Sequence, residues 1–195
     1  EQNNIFDLET DDSGTGLIIY NTDDEEFKIN IGTSSAPNWL GLKTTPNPSV
    51  KCSVASGGLS VNVNTDSAIN APIMGTLEWN DDTDLFNVNT SDHTITIAKT
   101  GRYIITVNIA LRSVVNNIAP EIRLAINGIE TGGYASTGYI SNIDGHDTSS
   151  LHLTEVVTID NIDDKISVRI KRTAAAGIAR LRPEIGRSNI YIEKL

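Results

Sequence analysis

One cysteine, one methionine, two tryptophans and three phenylalanines in 195 residues leave the chain poor in groups that staple, ligate or stack. A single thiol, Cys52, excludes an internal disulfide framework and any cysteine-rich zinc module, so stability has to come from packing or from oligomerisation. Cys52 lies in an apolar-flanked segment, away from the cations or helix start that would activate it, and reads as a packed thiol. Histidine is scarce too: His93, His146 and His152 stand outside any recognisable nucleophile motif, and Gly-x-Ser-x-Gly, His-Glu-x-x-His and Walker-type loops are missing. No enzyme is expected. Apolar runs fall far short of the roughly 20 residues of a spanning helix, so no membrane insertion is expected. Basic residues are the minority, 15 against 25 acidic for a net charge of −10, which argues against nucleic acid as a partner. The chain opens on Glu1 without a charged segment followed by an apolar stretch, so localisation is not read from a leader.

What is present is period two. Short segments rich in Ile, Val, Thr and Tyr alternate with clusters of Asn, Asp, Gly and Ser, the pattern of strands and turns. The clear strands are Gly16–Tyr20, Phe27–Ile31, Leu59–Val63, Thr94–Ala98, Tyr103–Leu111, Ile122–Ile126, Leu151–Ile159, Lys165–Lys171 and Asn189–Leu195. Residues 174 to 181 carry helix formers, but Gly177 and Pro183 make a loop or single turn the better reading. In the longest strand Tyr103, Ile105, Val107, Ile109 and Leu111 share one side and Ile104, Thr106, Asn108 and Ala110 the other. Ile122, Leu124 and Ile126, and Ile166, Val168 and Ile170, repeat the arrangement. Two antiparallel sheets across a shared core satisfy all three segments. At this length, folding buries roughly 70% of the unfolded chain's surface, enough for a sizeable core.

The stretch Lys43 to Ser49 has two prolines and no apolar periodicity, and marks a linker. The expected division is a small β-rich N-terminal module, residues 1–45, and a head domain, residues 46–195. The first piece is too short to bury an adequate core alone.

From about Val50 onward the order of features resembles the jelly-roll domain shared by the complement globular heads and the tumour necrosis factor superfamily. The carriers are Lys-Cys-Ser-Val-Ala-Ser (51 to 56), Gly-Thr-Leu-Glu-Trp (75 to 79) and Phe86 in an acidic polar loop. Next comes Thr94-Ile-Thr-Ile-Ala-Lys-Thr-Gly-Arg-Tyr103, which is similar to that family's strand, turn and Gly-x-Tyr opening of the central strand. Ile122-Arg-Leu-Ala-Ile-Asn-Gly128 resembles its hairpin, Leu151 to Arg172 its strands joined by an Asp-rich turn, and Ser188 to Leu195 its closing strand. The resemblance implies an all-β, two-sheet antiparallel jelly-roll sandwich that assembles as a homotrimer. Its trimer contacts are expected from the sheet holding Cys52, Tyr103, Ile105, Val107, Ile109, Leu151, Leu153, Ile190 and Ile192.

The N-terminal stretch Gly14-Thr-Gly-Leu-Ile-Ile-Tyr-Asn-Thr-Asp23, followed by Phe27 and Asn38-Trp-Leu-Gly-Leu42, is similar to a short module of bacteriophage fibre proteins and Bacteroidetes-type surface proteins. That likeness implies a non-enzymatic fibre head on a virion surface. Its module would attach to other virion or fibre proteins, and its head would bind a host-cell glycan or protein. The alternatives are a structural capsid decoration and an adhesin, secreted or on a bacterial surface.

Polar clusters supply the site candidates. Tyr134, Ser136, Thr137, Tyr139, Asp144, His146 and Asp147 lie in a Gly-, Ser- and Thr-rich connection, 131–150, where rigid rings and adaptable hydroxyls suit ligand contact. Asp81, Asp82 and Asp84 are either a solvated turn or carboxylates for a structural calcium, which takes six to eight oxygens. Asp23 to Glu26 reads as a hairpin turn that keeps an edge soluble. Lys171, Arg172, Arg180, Arg182 and Arg187 gather toward the C-terminus, for an anionic glycan or for acidic residues of a neighbouring chain. Trp79, two residues from Leu77, is expected in the core.

Overall fold

In the computed structural model the described residues are 5–6, 16, 18–21, 26–33, 35–42, 46–143, 145–182, 184 and 186–195. The chain divides into two compact units, Glu1–Pro46 and Asn47–Leu195. The first contains an antiparallel meander of β1 (Ile5–Phe6), β2 (Ile18–Asn21), β3 (Glu26–Asn30) and β4 (Trp39–Leu42), paired in that order. Tyr20 and Phe27 face each other across β2 and β3 with ring centroids 5.1 Å apart. Buried Asn30 organises the β3–β4 turn, its Oδ1 accepting from the amides of Gly32 at 2.9 Å and Asn38 at 3.0 Å. Of the N-terminal motif, residues 14, 15, 17, 22 and 23 lie outside the described residues. So do Asp24 and Glu25 of the acidic run, 43–45 of the linker, and Asp144.

The second unit is a sandwich. Its strands are β5 (Ser49–Ser53), β6 (Ile69–Asn70), β7 (Thr76–Asn80), β8 (Phe86–Asn89), β9 (Thr94–Ile97), β10 (Gly101–Ser113) and β11 (Pro120–Ile126). They continue as β12 (Ile129–Ser136), β13 (Thr148–Ile159), β14 (Asp164–Arg172), β15 (Ala179–Leu181) and β16 (Asn189–Lys194). One sheet runs β13-β10-β16-β5-β7, with β15 beside the end of β10. The other runs β12-β11-β14-β9-β8, with β6 beside β14. Every pairing is antiparallel, so the all-β, two-sheet architecture expected from the alternation is the one observed.

The core is built by the alternation. Tyr103, Ile105, Val107, Ile109 and Leu111 of β10 are at most 1% exposed, as are Ile122 and Leu124 of β11 and Ile166, Val168 and Ile170 of β14. The buried Tyr103 ring meets Phe86 edge-on at 6.3 Å, and its hydroxyl donates to the Lys99 carbonyl at 2.7 Å, which answers the one polar atom the ring carries inward. The β11–β12 turn places Asn127 and Gly128 at φ 52° and 81°, the positive values a tight hairpin requires. Asn127 is further held by its Nδ2 donating to Asp164 at 2.7 Å and its Oδ1 accepting from the Lys165 amide at 2.9 Å.

Four expectations are corrected. Residues 59–63 are no strand: Ser56–Ser60 form a short 3-10 turn, and the side chain of Asn62 takes over the ladder's role by accepting from the Ala179 amide at 3.1 Å. Phe86 opens strand β8 and is buried, not set in a polar loop. The 131–150 connection is strand at both ends: the Asn-Gly turn returns the chain along β11 as β12 up to Ser136, and β13 begins at Thr148. Trp79 stays 41% exposed: a register shift in the β5–β7 ladder between Lys51 and Cys52 places it opposite Lys51, while Leu77 pairs with Cys52.

Shortening Ile109 to Ala would leave a cavity in the middle of this core. The expected loss is about 2–5 kcal/mol of unfolding free energy, read from the urea midpoint at unchanged slope.

Candidate functional site

The strands expected to meet other chains do share one sheet, β13-β10-β16-β5, but the residues named for that contact point the wrong way. Cys52, Tyr103, Ile105, Val107, Ile109, Leu151, Leu153, Ile190 and Ile192 are 0 to 7% exposed within the single chain. They belong to the core cluster between the two sheets and leave no surface for a neighbour. The face available to a partner is the other one, reached by shifting one residue along each strand.

That outer face is uncharged at its centre. Ile104, Thr106, Asn108 and Ala110 of β10 lie beside Val156, Thr154, His152 and Ser150 of β13. On the other side of β10, Tyr191 pairs with Thr106 and Asn189 with Asn108. The hydrogen bonds run across the strands: Asn108 Nδ2 donates to Asn189 Oδ1 at 3.2 Å, and Asn108 Oδ1 meets His152 Nδ1 at 2.8 Å. His152 Nε2 in turn meets Thr154 Oγ1 at 3.2 Å, which contacts Thr106 Oγ1 at 3.2 Å. Asn108 Oδ1 can only accept, so the contact at Nδ1 requires the proton on that nitrogen, and in the neutral ring Nε2 is then the acceptor toward Thr154.

Toward the β7 edge the face becomes aromatic. Lys51 Nζ lies 5.0 Å from the centre of the Trp79 ring and 2.9 Å from Glu78, whose carboxyl it holds below the usual range. Trp79 stands edge-on to Tyr191 at 6.3 Å and donates from Nε1 to Ser49 at 3.1 Å. Desolvation and the nearby Glu193 carboxylate, 2.6 Å from its hydroxyl, push the Tyr191 phenol up.

The other candidates are dispersed. Tyr134 sits on β12, 62% exposed, with the Arg123 guanidinium 5.6 Å from its ring centre; Glu130 lies 3.6 Å from the same arginine. Ser136 ends that strand, and Thr137 is half-buried, its amide donating to the Pro120 carbonyl at 3.2 Å. Tyr139 is 74% exposed, and exposed His146 closes a short turn by donating its amide to the Ile143 carbonyl at 2.8 Å. Asp147 turns away to meet Arg112 Nε at 2.7 Å. His93 lies in the β8–β9 turn at φ 55°, where burial lowers its pKa. Among the described residues the hydrogen-bond partners of His152 are an amide and a hydroxyl.

The three aspartates of the β7–β8 turn do not converge. Asp81 accepts from the Ser49 amide at 3.1 Å and hydroxyl at 2.7 Å, tying the turn to β5. Asp82 accepts from the amides of Asp84 and Leu85 at 3.1 and 2.9 Å and lies 3.6 Å from Lys99, while Asp84 faces solvent. Among the described residues no group of three or more His, Cys, Asp or Glu is placed to hold a metal ion.

The basic group is likewise resolved by pairing within the chain. Lys171 meets Glu121 at 3.3 Å and Arg172 meets Asp66 at 2.9 Å; Arg182 and Arg187 both reach Glu184. Arg180 stands apart, directly opposite Arg112 across β15 and β10. Nothing in the local sequence announces that juxtaposition.

The fold is a tumour necrosis factor-like jelly-roll sandwich. The chain is similar to the crystal structure of murine APRIL at pH 5.0, with a TM-score of 0.54 and 12% identity over 76% of this chain and 99% of that one. It is also similar to Eiger TNF from S. frugiperda, with a TM-score of 0.52 and 16% identity over 77% of this chain and 94% of that one. No protein-family model and no curated protein matches the chain.

Burial pushes the Cys52 thiol up to about 11 from 9.0, with Glu78 adding to the shift. A proton held more tightly in the folded state than in the unfolded one stabilises fully below the unfolded pKa. Stability is therefore expected to fall as pH rises from 9 toward 11 in chemical denaturation, and Cys52→Ser should lessen that slope, leaving the share of Tyr103 and Tyr191, whose phenols are also pushed up. At pH 8 the native thiol should stay unmodified by a disulfide reagent until the chain unfolds.

Proposed function

We propose that the chain is a non-enzymatic binding head that works as a homotrimer, with the outer face of the β10 sheet as its contact between copies. The observation that carries this reading is the composition of that face. In a chain with 21% charged residues, Ile104, Thr106, Asn108, Ala110, Thr154, Val156, Asn189 and Tyr191 form the centre of that surface without one formal charge, bordered by Glu193 opposite Ile104 and Lys51 opposite Tyr191. Depletion of charge with retention of Tyr and small polar groups is the signature of an interface centre. A closed rotational assembly would cover a broad exposed sheet face.

The likeness of the fold to APRIL and Eiger TNF supports a head of this class. Carriage on a virion fibre through the N-terminal unit, and attachment to a host-surface glycan or protein, rest on the resemblance of the Gly16-Leu-Ile-Ile-Tyr-Asn-Thr22 stretch to fibre modules. Exposed Tyr134 and Tyr139 are the side chains best suited to such a ligand, and three copies would add avidity to a weak single contact.

Light scattering of the chain at low micromolar concentration should give the mass of three copies. Thr106→Arg, which plants a charge in the middle of the face without touching the core, should reduce it to one copy with the far-ultraviolet circular dichroism unchanged. A monomeric wild type, or a Thr106→Arg variant that keeps three copies, would overturn the reading.

A further inference from the structure

The end of β10 carries a second feature, two residues beyond Ala110 on the outer side of the strand. Arg112 and Arg180 are direct cross-strand neighbours, an arrangement that costs free energy between like charges. In an acid-rich chain such a pair should attract carboxylates. One arrives: Asp147 engages Arg112 through Nε at 2.7 Å. Among the described residues no hydrogen bond or ion pair takes up the guanidinium of Arg180, although the four other basic residues of its group are paired.

These two arginines border a cleft of about 340 Å³ whose other walls are Leu59, Ser113, Val114, Ile178 and Leu181. The size is that of a small-molecule site. Val114 and Ile178 are 69% and 46% exposed, so the apolar wall is open to a ligand. The wall is also held in place. Ser113 Oγ donates to the Ile178 carbonyl at 2.7 Å, Asn62 Nδ2 to the Gly177 carbonyl at 3.2 Å and Asn64 Nδ2 to the Ala175 carbonyl at 3.0 Å. Gly177 lies where any side chain would strike Val115 and Ile118, which lets this segment pass close to the sheet. A site braced in this way loses little ordering entropy on binding.

We propose that this cleft binds a small organic anion: a carboxylate or sulfate group held by Arg180 and the free terminal nitrogens of Arg112, with a short apolar body lying on Val114, Ile178 and Leu59. Guanidinium forks match two-oxygen acceptors, and Asp147 orients one fork by occupying only its Nε side. The apolar wall makes the ligand an amphiphile and not a bare ion.

The test is calorimetric titration of the full chain with hexyl sulfate and hexanoate, and with inorganic sulfate and hexanol as the head and tail alone. Both amphiphilic anions should saturate at one per chain and bind at least about tenfold more tightly than inorganic sulfate or hexanol. Arg180→Gln should weaken them by about tenfold or more while leaving the melting temperature and the scattering mass as in wild type. Val114→Ser should weaken hexyl sulfate but not inorganic sulfate. Absence of saturable binding, equal affinity in Arg180→Gln, or equal affinity for hexyl sulfate and inorganic sulfate would overturn the proposal. A change of mass in Arg180→Gln would overturn it as well, by assigning Arg180 to a second copy.

Discussion

The inner row of β10 is where the sandwich is decided. Tyr103, Val107 and Ile109 each lie opposite an apolar residue of β13, and Ile105 and Val107 opposite Ile192 and Ile190 of β16, while Leu111 meets Leu181 of β15. One strand thus brings three others to a common inner face, and the second sheet closes over it with Ile122, Leu124, Val168 and Ile170. Because side chains alternate strictly, committing this row to the core commits Ile104, Thr106, Asn108 and Ala110 to the opposite side. Which residues make the outer face is a direct consequence of the core, set by the same geometry that buries their neighbours.

Charge is handled locally around that frame. Most of the scarce cations in the basic group are matched to nearby carboxylates across strands or turns, such as Lys171 with Glu121 on β14 and β11. Exposed pairs of this kind add little stability each, but they dispose of positive charge and leave the surface acidic. Against this background the Arg112–Arg180 pair stands out as a local concentration of cation with half its expected compensation. The two arrive together because β15 is a three-residue strand laid against the last turnless stretch of β10, a placement that depends on the clamp formed by Asn62, Asn64 and Ser113.

Much of the fold was legible because period two is a local signal. The segments at 103–111, 122–126, 151–159, 165–171 and 189–195 need only their own alternation to be read, and the strands are there. Leu59–Val63 shows the failure of the same logic: its apolar residues alternate and Val63 is buried, but Asn62 side-chain bonds replace a ladder, so burial periodicity appears without a strand. Trp79 failed for a related reason. The register shift between Lys51 and Cys52 puts Trp79 opposite Lys51 and Leu77 opposite Cys52, and such an irregularity leaves no trace in the alternation of β7.

By itself, then, the sequence determined that the chain is all-β, and which residues travel together on each strand, because both follow from the two-residue repeat of an extended backbone. Tertiary structure alone decided that the shared row of Tyr103 to Leu111 is spent inside one chain and that Asp81 is bound to Ser49. It also decided that Arg180 sits beside Arg112. Those outcomes depend on which distant strands become neighbours, and hydrogen-bonded registers between segments tens of residues apart leave no mark in the local pattern of either one.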